Sequence, residues 1–166
     1  SQRQTTDFNA LVTQAVQLAY HSQRNRDSDS NLTLKINCDD AFGQLKLFPS
    51  DFSRAIINIV DNACYAAIAK HKQSDASFTP IVSVTTKNQG AVVEIRIWDN
   101  GTGIAPEIRE KIFNPFFTTK PTGEGTGLGL SLTYDIIVGQ HGGTLKVESE
   151  PGTYTEFIIT LPRASS

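Results

Sequence analysis

The sequence has no methionine, one tryptophan and two cysteines among 166 residues. Cys38 and Cys64 lie far apart and make no metal-ligand spacing, so a disulfide scaffold and a zinc site both lack their basic requirement, and reduced thiols are the default. No apolar run approaches the length of a membrane span, and the Gln- and Thr-bearing start lacks the features of a signal peptide. A soluble, cytoplasmic chain without direct membrane contact is expected, while a longer parent remains free to be anchored in an inner membrane. There is also no excess of basic charge: the formal net charge is −2 and the pI about 5.9, which argues against DNA or RNA as partner. A polyphosphate would therefore have to be held by local donors and a metal. At 39% hydrophobic residues the chain supports one core, and it reads as a single domain over 1–166, without internal repeat or boundary.

Apolar spacing predicts a first amphipathic helix over 7–21, behind Thr6 or Asp7 as cap. Alternation of Leu32, Leu34 and Ile36, and again of Leu45 and Leu47, predicts two short strands. A long helix is predicted over 51–70, a hairpin from 81–87 and 91–98 around Asn88-Gln89-Gly90, and a short helix over 106–112. A last helix over 131–140 precedes a second hairpin, 144–150 with 154–161, turning at Pro151-Gly152. Helices segregated from paired strands point to an α+β fold, a two-layer α/β sandwich.

Three polar features stand out on this frame. Gly123-Glu124-Gly125-Thr126-Gly127-Leu128-Gly129-Leu130 places glycines at alternate positions just before a helix. Such a loop lets backbone N–H groups approach an anion at the positive end of the helix dipole, although a plain helix-entry turn has the same composition. On the 51–70 helix, Asn58, Asp61, Asn62 and Tyr65 gather opposite the apolar face. Asn58 and Asn62 are one turn apart, so their amide oxygens can converge as hard donors of the kind that suit Mg²⁺; a solvated helix face is the simpler alternative. Asp99-Asn-Gly-Thr-Gly-Ile104 follows directly on a strand, where it is either a common turn or a carboxylate on the floor of a cleft, accepting a hydrogen bond from an amine such as adenine N6.

Taken in order, Asn58-Ile-Val-Asp-Asn62, Asp99-Asn-Gly-Thr-Gly-Ile104, Phe113-Asn-Pro-Phe-Phe-Thr-Thr-Lys120 and Gly125-Thr-Gly-Leu-Gly-Leu130 resemble the N, G1, F and G2 boxes of sensor histidine kinases. The closing Phe157-Ile-Ile-Thr-Leu-Pro162 is similar to that family's last strand. The resemblance implies the Bergerat ATP-binding fold of the GHKL superfamily, a mixed sheet carrying about three helices on one face, with ATP and Mg²⁺ as cofactors. It assigns Asn62, with Asn58 one turn earlier, to the metal; both are thereby implied in catalysis. Asp99 and Thr155 fall to the adenine, the latter through water. Gly101, Gly103 and Ile104 shape the pocket wall. Phe117 with Phe116 anchors a mobile lid, Lys120 reaches for phosphate, and Gly125, Thr126, Gly127, Leu128, Gly129 and Leu130 close over the phosphates. The lid, 118–126, is expected to be poorly ordered without nucleotide.

Departures from the pattern matter as well. Tyr65 stands where several members of the family place a phosphate-contacting lysine. Asn58 stands where the ATP-hydrolysing relatives place a glutamate base, and an amide cannot abstract a proton from water. Asp61 is a possible substitute base. His21, His71 and His141 fit no phosphoacceptor pattern, and His141, at a helix end, is expected to play a structural role as a cationic ring. The resemblance thus implies a catalytic domain that donates the γ-phosphate to a histidine on its own dimerisation and phosphoacceptor domain, upstream of Ser1, in a two-component pathway that reaches a response regulator indirectly. An isolated monomer and a homodimeric parent follow. A gyrase- or Hsp90-type ATPase or clamp, and a nucleotide sensor without transfer, are the competing readings.

Overall fold

The computed structural model describes residues 2–26, 31–41, 43–75, 77–117 and 129–163. Among these described residues, seven strands, four α-helices and one π-helical segment run in the order β1 (Gln4–Asp7), α1 (Phe8–Arg26), β2 (Thr33–Asn37), β3 (Gln44–Leu47), α2 (Pro49–Gln73), β4 (Ile81–Asn88), β5 (Val92–Asp99), α3 (Pro106–Arg109), α4 (Gly129–Tyr134), the π segment (Asp135–Gln140), β6 (Thr144–Glu150) and β7 (Tyr154–Pro162). The main sheet has the order β2-β4-β5-β7-β6; β2 runs parallel to β4 and the other pairs are antiparallel. This is the mixed, mainly antiparallel sheet of the expected α+β sandwich.

Alternation decides which face of the sheet meets the helices. Val82 and Val84 on β4, Val93, Ile95 and Ile97 on β5, and Phe157, Ile159 and Leu161 on β7 are all buried in one core with α1 and α2. The helices answer with Phe8, Val12, Val16, Phe52, Ile56 and Ile59, each fully buried and each worth about 1.5–3 kcal/mol of transfer free energy. Phe8 and Phe52 pack with ring centroids 5.9 Å apart, which fixes α1 against α2 near their starts. On the opposite face a cavity of about 270 Å³ is lined by Lys35, Ser83, Thr85, Arg96, Trp98 and Glu156. Arg96 there bridges Glu94 and Glu156 at 2.9 Å each, so its charge is answered within the sheet.

The local structure differs from or sharpens the expectations in several places. Gln4–Asp7 forms a strand that its polar sequence conceals, because it is ordered by antiparallel pairing with β3 rather than by burying a face. The two short strands expected after α1 are both present but lie in different sheets, β2 in the main sheet and β3 in the two-stranded one. Asp7 rather than Thr6 caps α1, its Oδ1 accepting from the Ala10 N–H at 3.1 Å. The last helix starts at Gly129 instead of 131, and Asp135–Gln140 is a π-helical segment rather than α.

That π segment positions His141, which is buried and not cationic. Its Nδ1 lies 2.8 Å from the Ile136 carbonyl, and its Nε2 accepts the Phe48 N–H at 3.1 Å, so the ring is the neutral Nδ1–H tautomer. Phe48 is the N-cap of α2 and has no side-chain cap of its own; the imidazole supplies a partner at this helix entrance. Burial lowers the His141 pKa, aided by Arg3 and opposed by the Ile136 hydrogen bond and by Asp51. The folded ring therefore protonates at lower pH than the unfolded one, whose value is 6.5, and its contribution to stability falls as pH drops below that value. Denaturant titrations at about pH 7.5 and about pH 5.5 should show acidification acting more favourably on the stability of His141→Gln than on that of wild type, the difference being this ring's share.

Candidate nucleotide site

Helix α2 forms one edge of the site. Pro49 at the first turn, Asp51 near the positive end and Lys70, His71 and Lys72 near the negative end all suit its dipole. With Phe52, Ile56, Ile59, Val60, Ala63 and Ala67 buried, the opposite stripe is left half-buried and polar. At i, i+4 spacing, Asn58, Asn62, Ala66 and Lys70 form a line along this edge, about 18 Å from end to end at 1.5 Å per residue.

Each member of the line meets a different part of the site. Asn58 Nδ2 donates to the Gly129 carbonyl and to Thr133 Oγ1, both at 3.3 Å, tying α2 to the start of α4. Asn62 Nδ2 donates back to the Asn58 carbonyl at 3.0 Å. With both amide nitrogens so committed, the side-chain oxygens are the atoms left to meet a cation. Among the described residues there is no group of three or more His, Cys, Asp or Glu that could hold a metal. The donor set therefore fits Mg²⁺, which takes few protein oxygens and completes its shell with phosphate and water. Further along, the Ala66 backbone abuts Gly101, and Lys70 Nζ donates to the Gly152 carbonyl at 2.6 Å.

The second edge is the loop after β5. Asp99, only 2% exposed, ends that strand, and its Oδ1 accepts the Gly101 N–H at 2.8 Å. A Cβ on Gly101 would stand 2.5 Å from the Ala66 carbonyl carbon, so only glycine lets the loop lie against α2. Gly103 has φ +74°, and a Cβ there would meet the Glu150 oxygen at 2.5 Å. Asn100 staples the loop to the strand beside it, accepting from the Ile81 N–H at 2.8 Å and donating to the Thr79 carbonyl at 2.9 Å. The turn after β6 closes the far side, with the Gly152 N–H on the Thr102 carbonyl at 2.7 Å and the Ile104 N–H on Ser149 Oγ at 2.8 Å. Burial pushes the Asp99 carboxyl up to about 7, against the opposing Gly101 hydrogen bond and the positive charge of Lys70.

Thr155 lies directly opposite Asp99 across β5 and β7 and is itself buried, so the two side chains share the helix-facing side of the sheet. The structure thus brings Asn58 and Asn62 to one helix face with Gly129 against them, and Asp99, Gly101, Gly103, Ile104 and Thr155 to the neighbouring strand ends. Leu130 packs on the core beside them. Phe117 is half-buried against that core, whereas Phe116 is 73% exposed at φ +68°, so the two aromatics do not share one role. Lys120, Gly125, Thr126, Gly127 and Leu128, and the expectation for 118–126, lie outside the described residues. Ala66, Lys70, Asn100, Thr133 and Ser149 were not anticipated. Continuing the i+4 line from Asn62 reaches Ala66 and Lys70, and the Pro151-Gly152 turn already sets Ser149 opposite Thr155.

Residues 49–165 match the family described as Histidine kinase-, DNA gyrase B-, and HSP90-like ATPase. The chain belongs to this family. Its relatives are sensor histidine kinases. Sensor histidine kinase ZraS of Escherichia coli (strain K12) is 35% identical over 159 residues, which is 96% of this chain and 31% of that protein. Sensor kinase CckA of Brucella abortus (strain 2308) is 55% identical over 71 residues, 43% of this chain and 7% of that one. The catalytic domain of histidine kinase ThkA, solved nucleotide-free, superposes with a TM-score of 0.79 at 26% identity, covering 98% of this chain and 97% of that one. The same fold recurs in ThkA solved in complex with the response regulator TrrA, with a TM-score of 0.75 at 24% identity over 98% of this chain and 42% of that one. The chain spans about a third of the length of the ZraS relatives it matches, 31%. The ordered boxes, the mixed sheet and the ATPase family thus agree.

Proposed function

We propose that residues 1–166 form the single catalytic and ATP-binding domain of a sensor histidine kinase, which holds Mg·ATP and gives its γ-phosphate to a histidine on a separate dimerisation and phosphoacceptor domain of the same parent. The observation that carries this reading is the joining of two unlike polar ends by α2: amide oxygens at Asn58 and Asn62, and the buried Asp99 carboxylate reached through Ala66 and Gly101. One end suits a cation with phosphates and the other an amine on an otherwise apolar ring. Magnesium, when bound, would neutralise charge on the phosphates. Asn62 and Asn58 would hold it, Asp99 would accept from the adenine amine, and Gly101 and Gly103 would let the ring approach. Phosphoryl transfer needs positioning more than covalent help, which is what rigid strand ends and a helix face provide.

The ATPase reading is weakened by Asn58. Its amide is engaged with Gly129 and Thr133 and has no basic form with which to activate water. His141 does not serve as an internal acceptor, since both ring nitrogens are already used within the fold. Among the described residues no helix is long and apolar enough to cross a membrane. We place the domain in the cytoplasm, monomeric alone and paired through its homodimeric parent, with a response regulator downstream. Incubation with γ-labelled ATP and a separately purified phosphoacceptor domain should place label on histidine, with little free phosphate. Steady hydrolysis without labelled histidine would overturn the kinase reading in favour of the ATPase.

A further inference from the structure

Three neighbouring residues form one polar row across the inner face of the sheet. Asp99 on β5 is in register with Thr155 on β7, and Thr155 is in register with Ser149 on β6. The hydrogen bonds of Ser149 can be counted completely. A hydroxyl has one hydrogen and two lone pairs. Ser149 Oγ gives its hydrogen to the Tyr154 carbonyl at 2.8 Å and accepts the Ile104 N–H at 2.8 Å. Thr155 Oγ1 lies 3.1 Å away, and only one lone pair of Ser149 remains to meet it. The hydrogen in that contact must come from Thr155.

We propose that Ser149 is a positioning residue that sets base specificity: by taking the Thr155 hydrogen it makes Thr155 Oγ1 an acceptor only, so that with Asp99 the pocket selects a 6-aminopurine and rejects a 6-oxopurine. This rests on the assignment of the Asp99 end to the base. Asp99 Oδ1 holds the Gly101 N–H, which leaves its second oxygen as an acceptor beside Thr155. An exocyclic amine meeting either oxygen directly finds a partner, and a 6-oxo group finds a second acceptor. The same holds through a bridging water. A water between Asp99 and Thr155 spends both hydrogens on these two oxygens and turns only lone pairs to the ligand. If Thr155 were free to donate, that water would keep a hydrogen to offer an oxo group, and discrimination would fall.

The test compares ATP with inosine triphosphate, each with Mg²⁺, by calorimetry at about pH 8, where Asp99 is ionised. Wild type should favour ATP by about 100-fold or more, in keeping with sites built to hydrogen-bond a substrate amine. Ser149→Ala should lower that ratio at least fivefold, mainly by strengthening inosine triphosphate, and Ser149→Thr should restore it. Should Ser149→Ala not fold, Ser149→Cys supplies the same test: a thiol accepts the Thr155 hydrogen only weakly, so the ratio should fall as it does for alanine. An unchanged ratio in the folded variants, or equal weakening of both nucleotides, would overturn the role of Ser149. Failure of wild type to bind either nucleotide would instead remove the base-site assignment beneath it.

Discussion

Replacing Asp99 with Asn should weaken adenosine and ATP binding about 10- to 150-fold while leaving the nucleotide-free domain as stable as wild type, or more so, at neutral pH. The affinity figure follows from a charge-assisted hydrogen bond worth about 1.5–3 kcal/mol, at about 1.4 kcal/mol per tenfold. The stability prediction has the opposite sign from that of an ordinary surface carboxylate. Asp99 is 2% exposed and its pKa is raised from 3.8 to about 7, so the unfolded chain releases this proton before the folded one does. Between those pH values the Asp99 contribution to stability declines with rising pH, by up to about 1.4 kcal/mol per unit, and above them the full cost remains. The amide has no such cost. Equilibrium unfolding across that range should therefore show stability falling more steeply with rising pH in wild type than in Asp99→Asn. The same ionisation links to function, because only the carboxylate form accepts freely from the base. Adenosine affinity should rise with pH up to about 7 in wild type and stay flat in the variant. If Asp99 holds the base, as proposed, the domain gives up stability there for recognition.

Gly101→Ala should produce the other large effect, this time on fold and site together. The added methyl would lie 2.5 Å from the Ala66 carbonyl carbon, 2.6 Å from its oxygen and 2.7 Å from Asp99 Oδ1. Two of these contacts are with helix backbone, which cannot rotate away. Either the loop lifts from α2, breaking the Gly101 N–H bond to Asp99, or the helix shifts in its packed bed. Overpacking of this kind costs about 1–3 kcal/mol, and the lost hydrogen bond adds to it. The melting temperature should drop by several degrees and nucleotide binding should fall below detection; Gly90→Ala, at an open hairpin turn, should leave binding intact.

Much of this was legible in the residues because it rests on short-range rules. The two hairpins, 81–99 and 144–162, announce themselves by alternation and turn residues, and their register follows from the turns. The polar stripe of α2 is a matter of 100° per residue, and the order of Asn62, Asp99 and Thr155 along the chain is the order in which the fold uses them. What stayed hidden depends on partners distant in sequence. Gln4–Asp7 is a strand only because β3 pairs with it. The neutral tautomer of His141 follows from the Phe48 N–H, 93 residues away. Asp99 could be read as a turn carboxylate or as one on a cleft floor, and only its burial and raised pKa, which depend on the packed fold, set it apart from a turn residue.

The central claim is that the nucleotide has two separately held ends on one helix edge, metal and phosphate at Asn62 and base at Asp99. Calorimetric titration of wild type, Asn62→Ala and Asp99→Asn with Mg·ATP and with adenosine tests it most directly. Asp99→Asn should weaken both ligands to a similar degree, whereas Asn62→Ala should weaken Mg·ATP at least about tenfold, as loss of a metal-holding contact implies, and leave adenosine within about twofold. Equal losses of both ligands in Asn62→Ala, or retained adenosine binding in Asp99→Asn, would contradict it.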